Sequence, residues 1–394
     1  MPVAPTVTAG GNHSATNVKR RWHQAIDLPL LLFVGCLTAY GLVIVSSVTQ
    51  GSSEYSPAHQ AVGVALGVIM MAIMWRLDYR AFEHWVMPLL VIDVVLLLSP
   101  HLPGIGVSAN GATSWVRIAG VQLQPGEPAK IVTILLMAAV VARYRGRIND
   151  PRDYLHVLFV LGIPFVCIML QPDLGSGLVI LIIGATILFV GGASWRHLLI
   201  TIAILGALVA AALALDPVLD AAAGHDVFIK TYQMNRLLVF LNPDLDPTGV
   251  GYNLRQAQIA IGSGGVFGKG LGNATQSALG FLPEAPTDFI FCVVGESTGF
   301  MGSLLLLALY AGLFACTINV MRRSRDRFGS LIAAGIIGMW IFQVLENIGM
   351  DLGLMPITGI PLPFMSYGSS FMLVNFMAVG LLLSIWKERP LQRR

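Results

Sequence analysis

Phe281-Leu-Pro-Glu-Ala-Pro-Thr-Asp288-Phe-Ile-Phe-Cys-Val-Val-Gly-Glu296 passes from turn chemistry into an apolar run that continues to about residue 320. Pro286-Thr287 reads as a helix start, and the run exceeds the roughly 20 residues that cross a bilayer. Asp288 therefore stands where a long polar loop meets hydrocarbon. Two readings of this carboxylate are open. An acid in the first turn of a helix is favoured by the helix dipole, and an ionisable group at a membrane boundary is a candidate for chemistry.

Working outward, the rest of the chain has the same character. Hydrophobic residues make up 55% of its 394 positions and charged residues 11%, against about 25% charged in a soluble domain. The composition predicts an all-α polytopic membrane protein. Windows of spanning length give about ten candidate spans, near 28–48, 59–75, 83–100, 128–142, 154–171, 174–192, 197–215, 288–320, 330–350 and 370–386. The eighth is long enough to hold a break near Gly295 or Gly299. Residues 1–22 read as a disordered cytoplasmic tail, and 23–390 as a single transmembrane domain.

Basic residues set the orientation. Of the 24 Lys and Arg, 18 fall in the segments that share a side with both termini, and only Arg117, Lys130, Lys230, Arg236, Arg255 and Lys269 fall in the alternate set. Both termini are expected to be cytoplasmic, with one large extracytoplasmic loop, 216–287, between spans seven and eight. A loop this long is functional or disordered, and its apolar content argues for function. Within it, Tyr232–Leu241 has amphipathic helical spacing and Asn242-Pro-Asp-Leu-Asp-Pro-Thr-Gly is turn chemistry.

The few outward cations could gather a diphosphate, or simply neutralise Glu127, Asp173, Asp244 or Asp246; spacing does not choose between the two. Ile261-Gly-Ser-Gly-Gly-Val-Phe-Gly-Lys269-Gly resembles a phosphate loop but fails the Walker pattern, because Ser263 takes the first Gly position and Gly270 follows the Lys. The pattern does not support nucleotide hydrolysis. The four cysteines lie in apolar segments and read as small buried hydrophobes, and the eight histidines lack ligand spacing, so no metal site is assigned. Asp93, Glu296 and Glu346 fall inside spans and should face protein or a wet cavity. Met355–Ser370, interrupted by Pro and Gly, cannot be regular helix and should be buried in protein or line a cavity.

These blocks together resemble the RodA/FtsW family of shape, elongation, division and sporulation (SEDS) proteins. The matching pieces are Trp115-Val-Arg117 with Gln124-Pro-x-Glu127-x-x-Lys130, then Gln171-Pro-Asp-Leu-Gly-Ser and Asn242-Pro through Gly251-Tyr. Ala260-Ile-Gly-Ser-Gly-Gly-x-x-Gly-Lys-Gly, Leu282-Pro-Glu-x-x-Thr-Asp-Phe-Ile-Phe, Asn347-Ile-Gly-Met and Pro-Leu-Pro-x-x-Ser-Tyr-Gly complete the set, in order over nearly the whole chain. Gly359-Ile-Pro361-Leu-Pro and Thr275-Gln276-Ser277 look more like RodA than FtsW. Three positions depart from the family pattern: Gly368 is followed directly by Ser369, Gly126 and Pro128 flank Glu127, and Glu346 precedes Asn-Ile-Gly-Met.

The resemblance implies a peptidoglycan glycosyltransferase that polymerises lipid II at the outer face of the bacterial cytoplasmic membrane during elongation. It implies Asp288 as general base. Arg117, Lys130 and Lys269 would then face the diphosphate, with Trp115, Glu127, Gln276, Glu284 and Ser366 as further contacts to sugar or diphosphate. No cofactor is fixed, although a divalent cation (Mg or Mn) could share the diphosphate. The implied partner is a class B penicillin-binding protein within an elongation complex, with no role for nucleic acid. A lipid II flippase or a non-catalytic scaffold of the synthase are the alternatives.

Overall fold

The computed structural model describes residues 26–390 except 50–54, 105, 110–111, 119–120, 224–230, 247–248, 279–280 and 283. The expected tail, 1–22, lies outside the described residues. Each expected span coincides with a helix. In chain order these are α1 (Leu28–Val48), α2 (Pro57–Arg76), α3 (Val86–Leu98), α4 (Gly126–Ala142), α5 (Pro151–Met169), α6 (Leu174–Val190) and α7 (Trp195–Ala223). After α8 (Thr231–Leu241), α9 (Val250–Ser263) and the single turn α10 (Thr275–Ala278) come α11 (Ile290–Arg323), α12 (Arg327–Asp351) and α13 (Ser369–Glu388). Seven of these are long and apolar enough to cross a membrane, namely α1, α2, α5, α7, α11, α12 and α13; α3 and α6 are shorter apolar helices. The chain is a polytopic membrane protein.

Local chemistry starts the helices where the sequence places short acids. Asp150, Asp173 and Asp326 accept backbone N–H groups from Arg152 (2.9 Å), Ser176 (2.9 Å) and Gly329 (2.8 Å) at the heads of α5, α6 and α12. Burial then sorts the helices into layers. In α12 and α13, 78% of the apolar window is buried against protein, whereas in α7 none is. The first two form the centre with α4, and α7 presents its sides outward, as a lipid-facing helix does.

The spans are helical as expected, but the all-α reading omitted a small sheet. Strands β1 (Gly106–Ala109), β2 (Ala112–Ile118) and β3 (Val121–Leu123) pair antiparallel between α3 and α4, with Val107 opposite Trp115 and Arg117 opposite Gln122. Thr, Trp, Val and Ile in β2 favour the pleat. The Ser114 hydroxyl donates to Gln171 O (3.3 Å), and the Gln171 amide donates to Leu97 O. This ties the ribbon to the α5–α6 turn and to the end of α3.

The expected break in the eighth span is at Gly299, which is non-helical inside α11 (φ 68°, ψ −161°). The glycine-rich loop that imitates a phosphate loop closes this break. Phe300 and Met301 N–H donate to Gly265 O (2.9 Å) and Val266 O (3.1 Å), and Lys269 and Gly270 N–H donate to Glu296 O (2.9 Å) and Ser297 O (3.0 Å). Four backbone bonds re-satisfy groups that the broken helix frees. A Cβ at Gly264 or Gly268 would collide with α11 backbone at Gly295 or Ser297. The glycines serve backbone-to-backbone packing.

Candidate active site around Asp288

The turn 282–289 delivers Asp288 to the head of α11. The Glu284 carbonyl accepts N–H bonds from Thr287 (3.3 Å), Asp288 (3.1 Å) and Phe289 (3.2 Å), winding the chain tightly before the helix. The Glu284 carboxylate accepts from the hydroxyls of Thr287 (3.0 Å) and Tyr55 (3.3 Å). The capping role open to Asp288 is taken by another residue. Phe289 is the N-cap of α11 and makes no side-chain cap bond, while Asp351 accepts the first-turn N–H of Cys292 at 3.1 Å. A buried acid from the end of α12 thus satisfies this helix start.

The opposite wall is the Pro/Gly segment, irregular as expected. Asn347 of α12 donates one amide nitrogen to Asp288 O (2.6 Å) and to Ile360 O (2.9 Å), and Tyr367 N–H donates to Pro286 O (2.8 Å). Gly359 has φ +76°, and a Cβ there would lie 2.9 Å from Asp288 Oδ2 and 3.8 Å from Arg236 Nη1. Both its conformation and the close approach require glycine. Arg236, from α8, donates to Thr358 O at 3.0 Å. Phe364 holds φ +64°, a strained value for a bulky residue, with its ring against Trp340 and Phe376.

These surroundings tune the carboxylate. Removal from water is the largest influence on Asp288 and pushes its pKa up to about 7; the Glu284 carboxylate pushes the same way, Arg236 opposes, and Glu346 again raises it. A carboxylate that changes charge near neutrality is matched to proton transfer.

Several residues expected at the site are held elsewhere. Lys130 is 2% exposed and pairs with Glu127 at 2.7 Å, one helical turn apart on α4, so each neutralises the other. Lys269 pairs with the fully buried Glu296 (2.8 Å) and donates to Thr275 (2.9 Å), while Gln276 N–H donates to the same Glu296 oxygen (3.1 Å). Neutralisation of acids is therefore what the geometry gives for both lysines, and Glu296 was not among the acids foreseen. Arg117 is exposed on β2 beside half-buried Trp115. Ser366 is fully buried, and its hydroxyl accepts Leu362 N–H (2.7 Å) and closes a turn. Of the expected contacts, Glu284 acts directly on Asp288.

Sequence spacing places Arg236 among the outward cations that could gather a diphosphate but does not pair it with Asp288, and it does not identify Asp351 as the cap. Arg236 lies on the one amphipathic stretch of the long loop, and Asp351 is an acid directly ending an apolar helix; both signals were visible, but their partners were not. Among the described residues no group of three or more His, Cys, Asp or Glu is placed to hold a metal ion.

Fold and site define a polytopic membrane protein with a tuned carboxylate where a large loop enters a kinked helix. The chain belongs to the FtsW/RodA/SpoVE family, described as a cell cycle protein family, whose model matches residues 23–390. It is 35% identical to the probable peptidoglycan glycosyltransferase FtsW of Trichlorobacter lovleyi, over 91% of this chain and 92% of that one. It is 34% identical to the peptidoglycan glycosyltransferase MrdB of Escherichia coli K12, over 95% of this chain and 97% of that one. A solved structure described as "Structural coordination of polymerization and crosslinking by a peptidoglycan synthase complex" superposes with a TM-score of 0.77 at 31% identity, covering 93% of this chain and 98% of that one.

Proposed function

We propose that this protein is a peptidoglycan glycosyltransferase that polymerises lipid II, with Asp288 as the general base. The observation that carries the reading is a carboxylate released from helix capping by Asp351 and poised near neutrality. In the proposed step the acceptor sugar hydroxyl gives its proton to Asp288. Its oxygen forms the bond to the donor's anomeric carbon as the bond to the lipid diphosphate breaks, and the electron pair leaves with the diphosphate. Arg236 is the cation that acts on Asp288, and with Arg117 it is our candidate to meet the departing charge; Lys130 and Lys269 are already paired. A divalent cation would be held largely by the substrate's own phosphates, and chelation of Mg or Mn tests its need.

The cation asymmetry supports ten spans over 23–390 with both termini cytoplasmic, which puts the 216–287 loop and Asp288 on the outer face of the cytoplasmic membrane. The RodA-like residues Gly359-Ile-Pro361-Leu-Pro support a role in elongation. A class B penicillin-binding protein is the proposed partner, by likeness to the synthase complex above. Against a flippase, each intramembrane acid has one oxygen held by a neighbouring side chain: Asp93 by Thr133 (2.8 Å), Glu296 by Lys269 and Glu346 by Thr358. A scaffold predicts that Asp288→Ala is harmless. Purified protein incubated with lipid II separates these readings on a gel. Polymer from the wild type and none from Asp288→Ala supports the base; no polymer even with the partner favours flippase or scaffold.

A further inference from the structure

Beneath Asp288, the end of α12 carries Glu346, Asn347 and Asp351, all buried. The base reading leaves the first of these without a role. Glu346 is 2% exposed, with one oxygen taking the Thr358 hydroxyl and Oε2 without a partner among the described residues. A buried acid so placed needs a reason, because an unpaired charge there is costly.

The surrounding contacts converge on one carboxylate. Thr358, which Glu346 holds by its hydroxyl, is held by its carbonyl to Arg236. The next residue, Gly359, lies against Asp288 Oδ2 and close to Arg236 Nη1. On the helix side, Asn347 follows Glu346 and binds Asp288 O. Arg236 acts electrostatically on both acids. The groups facing Glu346 are therefore Arg236 from α8, Thr358 from the Pro/Gly segment, Asp288 from the 282–289 turn and Asp351 from its own helix.

We infer that Glu346 is a positioning residue for the Asp288 carboxylate, holding the Thr358–Gly359 turn against it and sharing Arg236 with it. It acts in two separable ways. Its oxygen fixes the turn by accepting the Thr358 hydroxyl. When ionised, Glu346 competes for Arg236 and makes Asp288 hold its proton more readily. Arg236 and Glu346 thus form an opposed pair that sets the pH at which the base becomes available. This inference rests on Asp288 acting as the base.

The test is the pH profile of lipid II polymerisation by the purified full-length chain. Glu346→Gln keeps the acceptor oxygen and removes the charge. The expected result is an acid limb moved to lower pH by about half a unit, a roughly threefold gain in relative rate below the limb. Arg236→Gln should move the limb the opposite way. Glu346→Leu removes the oxygen as well and should lower the plateau rate of chains that melt normally. A Glu346→Gln limb that stays in place or moves to higher pH overturns the inference, as does loss of polymerisation at every pH. Activity retained by Asp288→Asn would instead overturn the base reading, whatever Glu346→Gln does.

Discussion

Gly359→Ala separates backbone conformation from catalysis at a close approach to the Asp288 carboxylate. The added methyl would stand 2.9 Å from Asp288 Oδ2, where ordinary contact begins near 3.4 Å, so carboxylate and turn must part by about half an ångström. Placing an L side chain at φ +76° costs a further ~1–2 kcal/mol, which lowers the melting temperature by about 2–4 °C per kcal/mol. Misplacing a reacting group by about 1 Å can cost about 10²-fold in rate, so half that displacement predicts about a tenfold loss of polymerisation. The control is Gly353→Ala, at φ +75°, whose methyl would meet the Gln258 amide, which donates to Leu352 O (3.2 Å), and Leu254 Cδ1 at 3.7 Å, away from Asp288. It should lose comparable stability and keep its rate. The assay is lipid II polymerisation at the pH optimum beside thermal melting of the same preparations. Equal rates for Gly359→Ala and wild type, or equal losses in both variants, would refute the placement of Gly359 against the base.

Wild-type polymerisation should rise through pH 7 and level above pH 8. Asp288 has its pKa pushed up to about 7 and works only as the carboxylate, so the rate falls about tenfold per unit below that; a rate flat from pH 5 to 8 argues against it. Lys269→Met takes the cation from the buried Glu296 while leaving its bonds from Thr275 and Gln276, and should destabilise by ~3 kcal/mol, toward the low end because Lys269 keeps 28% of its side chain in contact with solvent. Lys269→Met with Glu296→Gln should recover part of that loss, read by melting in detergent; a double variant no more stable than the single one would contradict the pair's role at the break in α11.

The fold was largely legible because its signals are local. Apolar windows coincide with ten of the helices, Gly299 was one of two positions offered for the break, and the Pro/Gly spacing of 355–370 forbade regular helix. The site was legible only where its residues adjoin in sequence, as Glu284 does Asp288. Arg236 meets Thr358 from 122 positions away, Asp351 caps Cys292 from 59, and Lys269 meets Glu296 from 27. Hydrophobic periodicity carries no record of such pairings. Lys130 shows the opposite failure, since its partner lies one turn away on the same helix and was named beforehand as one of several acids. Choosing that pairing over a diphosphate role required its burial, which only packing reveals. The glycine-rich loop departs from the Walker pattern in sequence, but its packing task depended on a helix break some thirty positions onward.

The central claim is that the Asp288 carboxylate performs the proton transfer, and glycan formation by Asp288→Asn tests it most directly. This variant keeps the shape of the side chain and the backbone ties to Asn347, so it should fold and bind lipid II as the wild type does. The account predicts no polymer on the gel at any pH. Glycan strands of wild-type length from Asp288→Asn would contradict it.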